Sequence, residues 1–159
     1  MLTDTQFTQA VEQYADMVYR IALNYLKDPA AAEDTGQEVF FRLLRSRGDF
    51  QSEAHLKHWL VRVTINECKR TLASPWRKIE SLEEHLGSPV FSTPENREVF
   101  DLVMGLPRKY RVTLYLHYYE GYKAAEIAQL LRIPASTVRT RLDRGRVLLK
   151  ERLTEAEDV

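Results

Sequence analysis

Apolar positions recur at the helical period almost from the start of the chain. Phe7, Val11, Tyr14, Val18, Ile21 and Tyr25 form one stripe, which predicts a helix over 5–26. Thr3 followed by Gln6 predicts a capping box at its start. Asp28 and Pro29 restart the chain, because Asp is a good N-cap and Pro lacks an N–H that the first helical turn would leave unpaired anyway. The helix they open is expected over 29–46, with Ala32, Gly36, Val39, Phe40 and Leu43 on one face. Gly36 costs about 1 kcal/mol relative to Ala inside a helix. Its place in the stripe points to a close helix–helix approach or to a weak point. After a polar connection around Phe50, a third helix is expected over 53–73. Leu56, Leu60 and Val63 line one apolar strip of it, and Val61, Ile65, Cys68 and Leu72 another. The remaining face carries His55, His58, Arg62, Asn66 and Lys69, a polar stripe without an acid.

The pattern then breaks. Pro75, Gly87, Pro89 and Pro94 interrupt residues 74–94, which read as a linker with one short helical turn at 79–86. Periodicity resumes in helices expected over 94–105, 107–120, 123–131 and 134–153, with Gly121 ending the second of these. The last keeps Val138, Leu142, Gly145, Leu149 and Leu153 in register. No segment alternates convincingly at period two. The expected fold is all-α: two small helical modules, 1–73 and 95–159, joined by the linker 74–94.

Composition adds limits. An apolar fraction of 44% in 159 residues is enough for packed cores. No apolar run is long enough to span a bilayer, so no membrane insertion is expected. The opening MLTDTQFTQAVEQY does not read as a signal peptide, and a cytoplasmic protein is expected. Cys68 is the only cysteine, which excludes an intrachain disulfide and any multi-cysteine zinc site. It reads as a small buried hydrophobe.

Charge changes the picture more. The formal net charge is zero, yet its distribution is uneven. Residues 80–101 hold Glu80, Glu83, Glu84, Glu95, Glu98 and Asp101 against Arg97. Residues 132–150 hold Arg132, Arg139, Arg141, Arg144, Arg146 and Lys150 against Asp143. A neutral chain that separates its charges still presents a basic footprint to an anionic partner.

A basic run alone is usually a solvated face. Here it follows a short helix and a tight turn, AAEIAQLLRIPAS, which makes the pair a helix-turn-helix. Ser136 and Thr137 sit in the first turn of the second helix, where unpaired N–H groups favour a phosphate. Thr140 and Arg144 continue the same side. The arginine fork matches the O6 and N7 of guanine, so this face reads as a DNA surface.

Several segments together resemble a bacterial RNA polymerase sigma factor of the extracytoplasmic-function (ECF) class. LPRKYRVTLYLHYYEGYKAAEIAQLLRIPASTVRTRLDRGRVLLKERL resembles sigma region 4, which in the family reads the promoter's −35 element. DPAAAEDTGQEVFFRLLR and FQSEAHLKHWLVRVTINECKR resemble region 2, which binds the polymerase clamp and melts the −10 element. The resemblance implies three sites. Asp34, Gln37, Glu38, Phe41, Arg42 and Arg45 match the helix that binds core polymerase. Phe50, His58, Trp59, Arg62, Asn66 and Lys69 match the −10 and strand-opening surface, although Trp59 reads first as a core residue. Ser136, Thr137, Arg139, Thr140, Arg141 and Arg144 match the −35 reader, with Thr140 and Arg144 on base edges and the others on phosphates. Arg141 stands between that role and a pairing within the protein.

The implied partners are bacterial core RNA polymerase, double-stranded promoter DNA with its melted −10 strand, and an anti-sigma protein. No catalytic residue, metal or cofactor is expected. Three positions depart from the family pattern: Thr35 and Gly36, where aliphatic residues are usual, and Arg132, where a turn glycine is common. Arg132 is expected in the left-handed region, and Asp143 is expected to temper the reading face. A stand-alone helix-turn-helix regulator is the alternative, but it leaves the second and third helices without a role. An enzyme would need a nucleophile with its base, a phosphate-cradling loop or clustered metal ligands, and none is evident.

Overall fold

The structure is a computed structural model, and it describes residues 1–74 and 94–157. The expected helical turn at 79–86 lies outside the described residues. All regular structure among those residues is helical, as the periodicity requires. The chain divides into two compact units, Met1–Val90 and Phe91–Val159.

The first unit packs three helices, α1 (Asp4–Leu26), α2 (Pro29–Arg45) and α3 (Glu53–Ala73). Their ends follow from local chemistry. The Thr3 hydroxyl accepts from the N–H of Gln6 at 3.1 Å, and the Gln6 side chain accepts from the N–H of Thr3 at 2.9 Å. Lys27 closes α1 in the left-handed region, its N–H donating to the Leu23 carbonyl. Asp28 caps α2 through the N–H of Ala31, and Ser52 caps α3 through the N–H of His55. The core between the helices is Val18, Ala32, Val39, Leu43, Leu60, Val61, Ile65 and Cys68, all wholly buried. The Tyr14 hydroxyl donates to Glu53 at 2.8 Å and ties α1 to the start of α3. Gly48, at φ 72°, turns the chain between α2 and α3 where a Cβ would lie 2.5 Å from the backbone nitrogen of Leu2.

Gly36 is different. A Cβ there would meet only Val18 Cγ1, at an ordinary 3.9 Å. The close approach that its position suggested is absent, and the glycine is a weak point in α2. Thr35, the other departure in this helix, is buried in the unit and not presented outward.

The second unit holds α4 (Pro94–Met104), α5 (Arg108–Leu114), α6 (Ala124–Leu131) and α7 (Ala135–Glu157). The helix expected over 107–120 widens after Leu114 into a π-helical turn, Tyr115–Tyr119. Tyr115 lies parallel to Tyr119, with centroids 5.1 Å apart, and also meets Phe100 edge-on. Gly121, at φ 79°, then reverses the chain. The close helix approach of the molecule lies here. A Cβ on Gly145 would stand 3.0 Å from the buried Leu114 side chain, so a larger residue there requires Leu114 to give way by a few tenths of an ångström.

Candidate polymerase- and DNA-binding surfaces

α2 buries Ala32, Thr35, Val39 and Leu43 and so turns the opposite face to solvent. Asp34, Gln37, Phe41 and Arg45 all lie on that exposed face, and Glu38 and Arg42 are half-buried at its edge. Phe41 is 56% exposed, with the Arg45 guanidinium 4.8 Å from its ring centroid. Leu44 is 46% exposed beside it. Phe41 and Leu44 thus form an apolar pair held outward among charges. Leu44 went unnoticed in the sequence. Its neighbour Leu43 lies in the buried stripe with Val39, so Leu44 falls about 100° away from the stripe's centre.

The charged residues of α2 are bound to one another and to α3. Arg42 Nε donates to Glu38 at 3.2 Å, and Arg42 Nη2 to Glu67 at 2.6 Å. Arg45 reaches Glu38 at 3.7 Å, and Arg70 reaches the second oxygen of Glu67 at 2.7 Å. Glu67 is the buried end of this chain, its side chain 6% exposed. It too was missed. It follows Leu56, Leu60 and Val63 at the next place in the same apolar strip, and an acid at such a place needs a partner.

On α3, Arg62 is exposed, and His58, Trp59, Asn66 and Lys69 are half-buried. Phe50 packs edge-on against Trp59 at 5.5 Å and against His55 at 5.3 Å. The His55 ring is itself fixed, with Nδ1 accepting from the N–H of Gln51. Trp59 is therefore not a core residue. It joins the loop residue Phe50 in an accessible aromatic cluster beside a cationic track, which suits unstacked bases and their backbone.

α6 and α7 form the helix-turn-helix. The Lys123 N–H donates to Glu126 at the start of α6. Arg132 takes the left-handed conformation expected of it, φ 59° and ψ 48°. In α7, Val138 and Leu142 are buried and hold the helix on its support. Ser136, Arg139, Thr140 and Arg144 are exposed, and Thr137 and Arg141 are half-buried. The Thr140 hydroxyl donates to the Ser136 carbonyl at 3.0 Å, which leaves its lone pairs outward. Arg146 does not share this face. It stacks on Tyr118, hydrogen-bonds its hydroxyl, and pairs with Asp143 at 2.7 Å. Asp143 thus has a cation of its own beside the arginines of the reading face.

Two features of this unit escaped the sequence reading. An apolar groove of about 430 Å³ runs between α4, the π-turn and α7, floored by Phe100, Val103, Leu114 and Leu149 and edged by Arg146 and Lys150. Arg111 is buried and donates to the Leu106 carbonyl at 3.1 Å. Its burial, with Arg108 close by, lowers its pKa to about 10. Burial beside Glu120 and Glu126 raises the Tyr122 hydroxyl to about 12. Burial and then Glu53 do the same to Tyr14. His117 is half-buried, with Nδ1 2.7 Å from the Tyr122 carbonyl, a packed ring. Among the described residues no group of His, Cys, Asp or Glu is placed to hold a metal ion, and no helix is long and apolar enough to cross a membrane.

Comparison with known proteins finds two matching regions in the chain. Residues 10–78 match the family model of sigma-70 region 2, and residues 96–149 match that of sigma-70, region 4. The RNA polymerase sigma-H factor of Pseudomonas aeruginosa is 26% identical over 92% of this chain and 86% of its own length. The ECF RNA polymerase sigma factor SigW of Bacillus subtilis is 27% identical over 94% and 89%. The ECF RNA polymerase sigma-E factor of Haemophilus influenzae is 25% identical over 96% of each chain. Among solved structures, the sigma factor RpoE of Bartonella quintana, in a complex with the anti-sigma factor NepR, shares the fold with a TM-score of 0.73 at 18% identity. It covers 93% of this chain and 96% of its own.

Proposed function

The chain belongs to the sigma-70 family of RNA polymerase sigma factors, in the extracytoplasmic-function class, and from that premise we propose how its surfaces divide the work. The factor binds core RNA polymerase and directs it to promoters. Residues 1–73 form the module for polymerase and the −10 element, 74–94 the linker, and 95–159 the module for the −35 element. Asp34, Gln37, Glu38, Phe41, Arg42 and Arg45 meet the polymerase. Phe50, His58, Trp59, Arg62, Asn66 and Lys69 hold the opened −10 strand. Ser136, Thr137, Arg139 and Arg141 contact phosphates, while Thr140 and Arg144 read base edges. The protein performs no chemistry itself; it positions DNA for the polymerase, and it acts in the cytoplasm. An anti-sigma protein covers one or more of these surfaces, and the apolar groove of the second unit offers it a seat.

The observation that carries the reading is the outward arginine face of α7, set behind a left-handed turn and backed by buried Val138 and Leu142. The test is promoter-library binding by the purified protein, with and without bacterial core polymerase, followed by transcription from the enriched sequences. A two-part motif enriched only with polymerase, with transcripts starting just downstream, is expected. Tight binding of the protein alone to a single motif, unchanged by polymerase, would make it a conventional helix-turn-helix regulator.

A further inference from the structure

We infer that Glu67 is a positioning residue that joins the polymerase-binding helix to the strand-opening helix, so that a grip on α2 is transmitted to α3 through one buried carboxylate. The inference rests on the assignment of α2 and α3 given above. Both oxygens of Glu67 are engaged by arginines from different helices, Arg42 of α2 at 2.6 Å and Arg70 of α3 at 2.7 Å. Arg42 is held at its other side by Glu38, which also draws Arg45. Three of the side chains that face the polymerase therefore form one chain of ion pairs, and its buried end is on the other helix.

Stability alone is a poor account of this arrangement. Burying a carboxylate costs energy that its ion pairs often only offset, and an apolar side chain of the same size would hold two helices together as well. What an apolar side chain would not do is fix the plane of the Arg42 guanidinium. Two acids, one on each helix, do that. The carboxylate also sits where alignment matters, next to Asn66 and two residues before Lys69 on the helix that carries the −10 surface. Its backbone carbonyl accepts from the Thr71 hydroxyl at 3.0 Å. Polymerase that engages Glu38 and Arg42 thus holds the part of α3 that meets the melted strand.

The test is Glu67→Gln, which keeps the shape and removes the charge. Open-complex formation is timed at saturating core polymerase, on duplex promoter and on the same promoter already unpaired across the −10 element. The duplex rate is expected to fall on the order of tenfold. The unpaired template should restore it to within about twofold, because a strand already open needs no aligned grip to open it. Arg42→Gln should slow opening in the same way, and the double variant should be no slower than either single one, as residues acting through one contact require. A wild-type duplex rate in Glu67→Gln would overturn the inference, as would equal losses on both templates or losses that multiply in the double variant. Should Glu67→Gln lose its helical circular dichroism, Arg42→Gln decides alone, since its side chain is 41% exposed. Normal opening by that variant would overturn the inference too. A wild-type protein that fails to bind core polymerase would instead overturn the assignment of α2, an outcome visible before any variant is made.

Discussion

Arg144 and Arg139 both stand exposed on α7, yet they are expected to fail differently when removed. Arg144→Ala should cost about 1–3 kcal/mol at one promoter position and relax the preference there. Arg139→Ala should weaken binding evenly across sequences and reduce its salt dependence. Competition binding with single-base promoter variants separates the two, and equal losses on matched and mismatched sites for both would merge their roles. Arg132 was readable in advance from the family resemblance, because it stands where a turn glycine is common and was expected in the left-handed region, where it lies. Arg132→Gly should therefore stabilise the second unit by about 1 kcal/mol, read from its denaturant midpoint. Other side chains were not readable. Nothing in the spacing of Tyr118 and Arg146 announces that they stack, since their meeting depends on the π-turn. Alkaline behaviour is fixed at this scale as well. Tyr14 is raised from 10.0 to about 12 in the folded chain, so it supports the fold below pH 10 and loses that support as pH climbs to about 12. The shift of Arg111 runs the other way, lowered from 12.5 to about 10 by its burial in the second unit. The first unit should therefore weaken through this window. Tyr14→Phe should start less stable and decline less, as circular dichroism of denaturant unfolding below pH 10 and near pH 12 would register.

Among the elements, two glycines inside helices make opposite predictions. Gly36→Ala should stabilise the first unit by about 0.5–1 kcal/mol, since the new methyl meets nothing closer than Val18 and the helix propensity improves. Gly145→Ala gains the same propensity and loses it to overpacking against Leu114, a penalty of about 1–3 kcal/mol. Thermal unfolding of both variants is the check, and a stabilised Gly145→Ala would mean that Leu114 has room to shift. Helix starts were legible where caps are local and were read as such: Thr3 with Gln6 and Asp28 with Pro29 each act within a few residues. The left-handed end of α1 at Lys27 was not legible, because no glycine or asparagine marks it. The π-turn was hidden for a related reason. Tyr115 and Tyr119 stand four apart and share a face in a regular helix too, so their pairing does not distinguish a widened turn from an ordinary one.

For the molecule as a whole, two compact units on one neutral chain argue for weak binding when free and strong binding when held. On the proposed division of surfaces each alone should contribute little, since two weak sites reinforce one another only when something fixes the distance between them. The free protein should therefore bind a full promoter no more tightly than its −35 half, whereas with core polymerase each half should matter, as fluorescence anisotropy on whole and half promoters would reveal. The two-module plan was legible because prolines and a charge reversal interrupt the period. The apolar groove of the second unit was not, because it is made by α4, the π-turn and α7, which are far apart in sequence. The carboxylate of Glu67 carries one further consequence, for descent. If its use is to bridge to the arginine of another helix, it cannot drift by itself. Across relatives, an acid at this place in α3 should come and go together with the arginine of α2, leaving a paired trace in ancestry that neither helix would show alone.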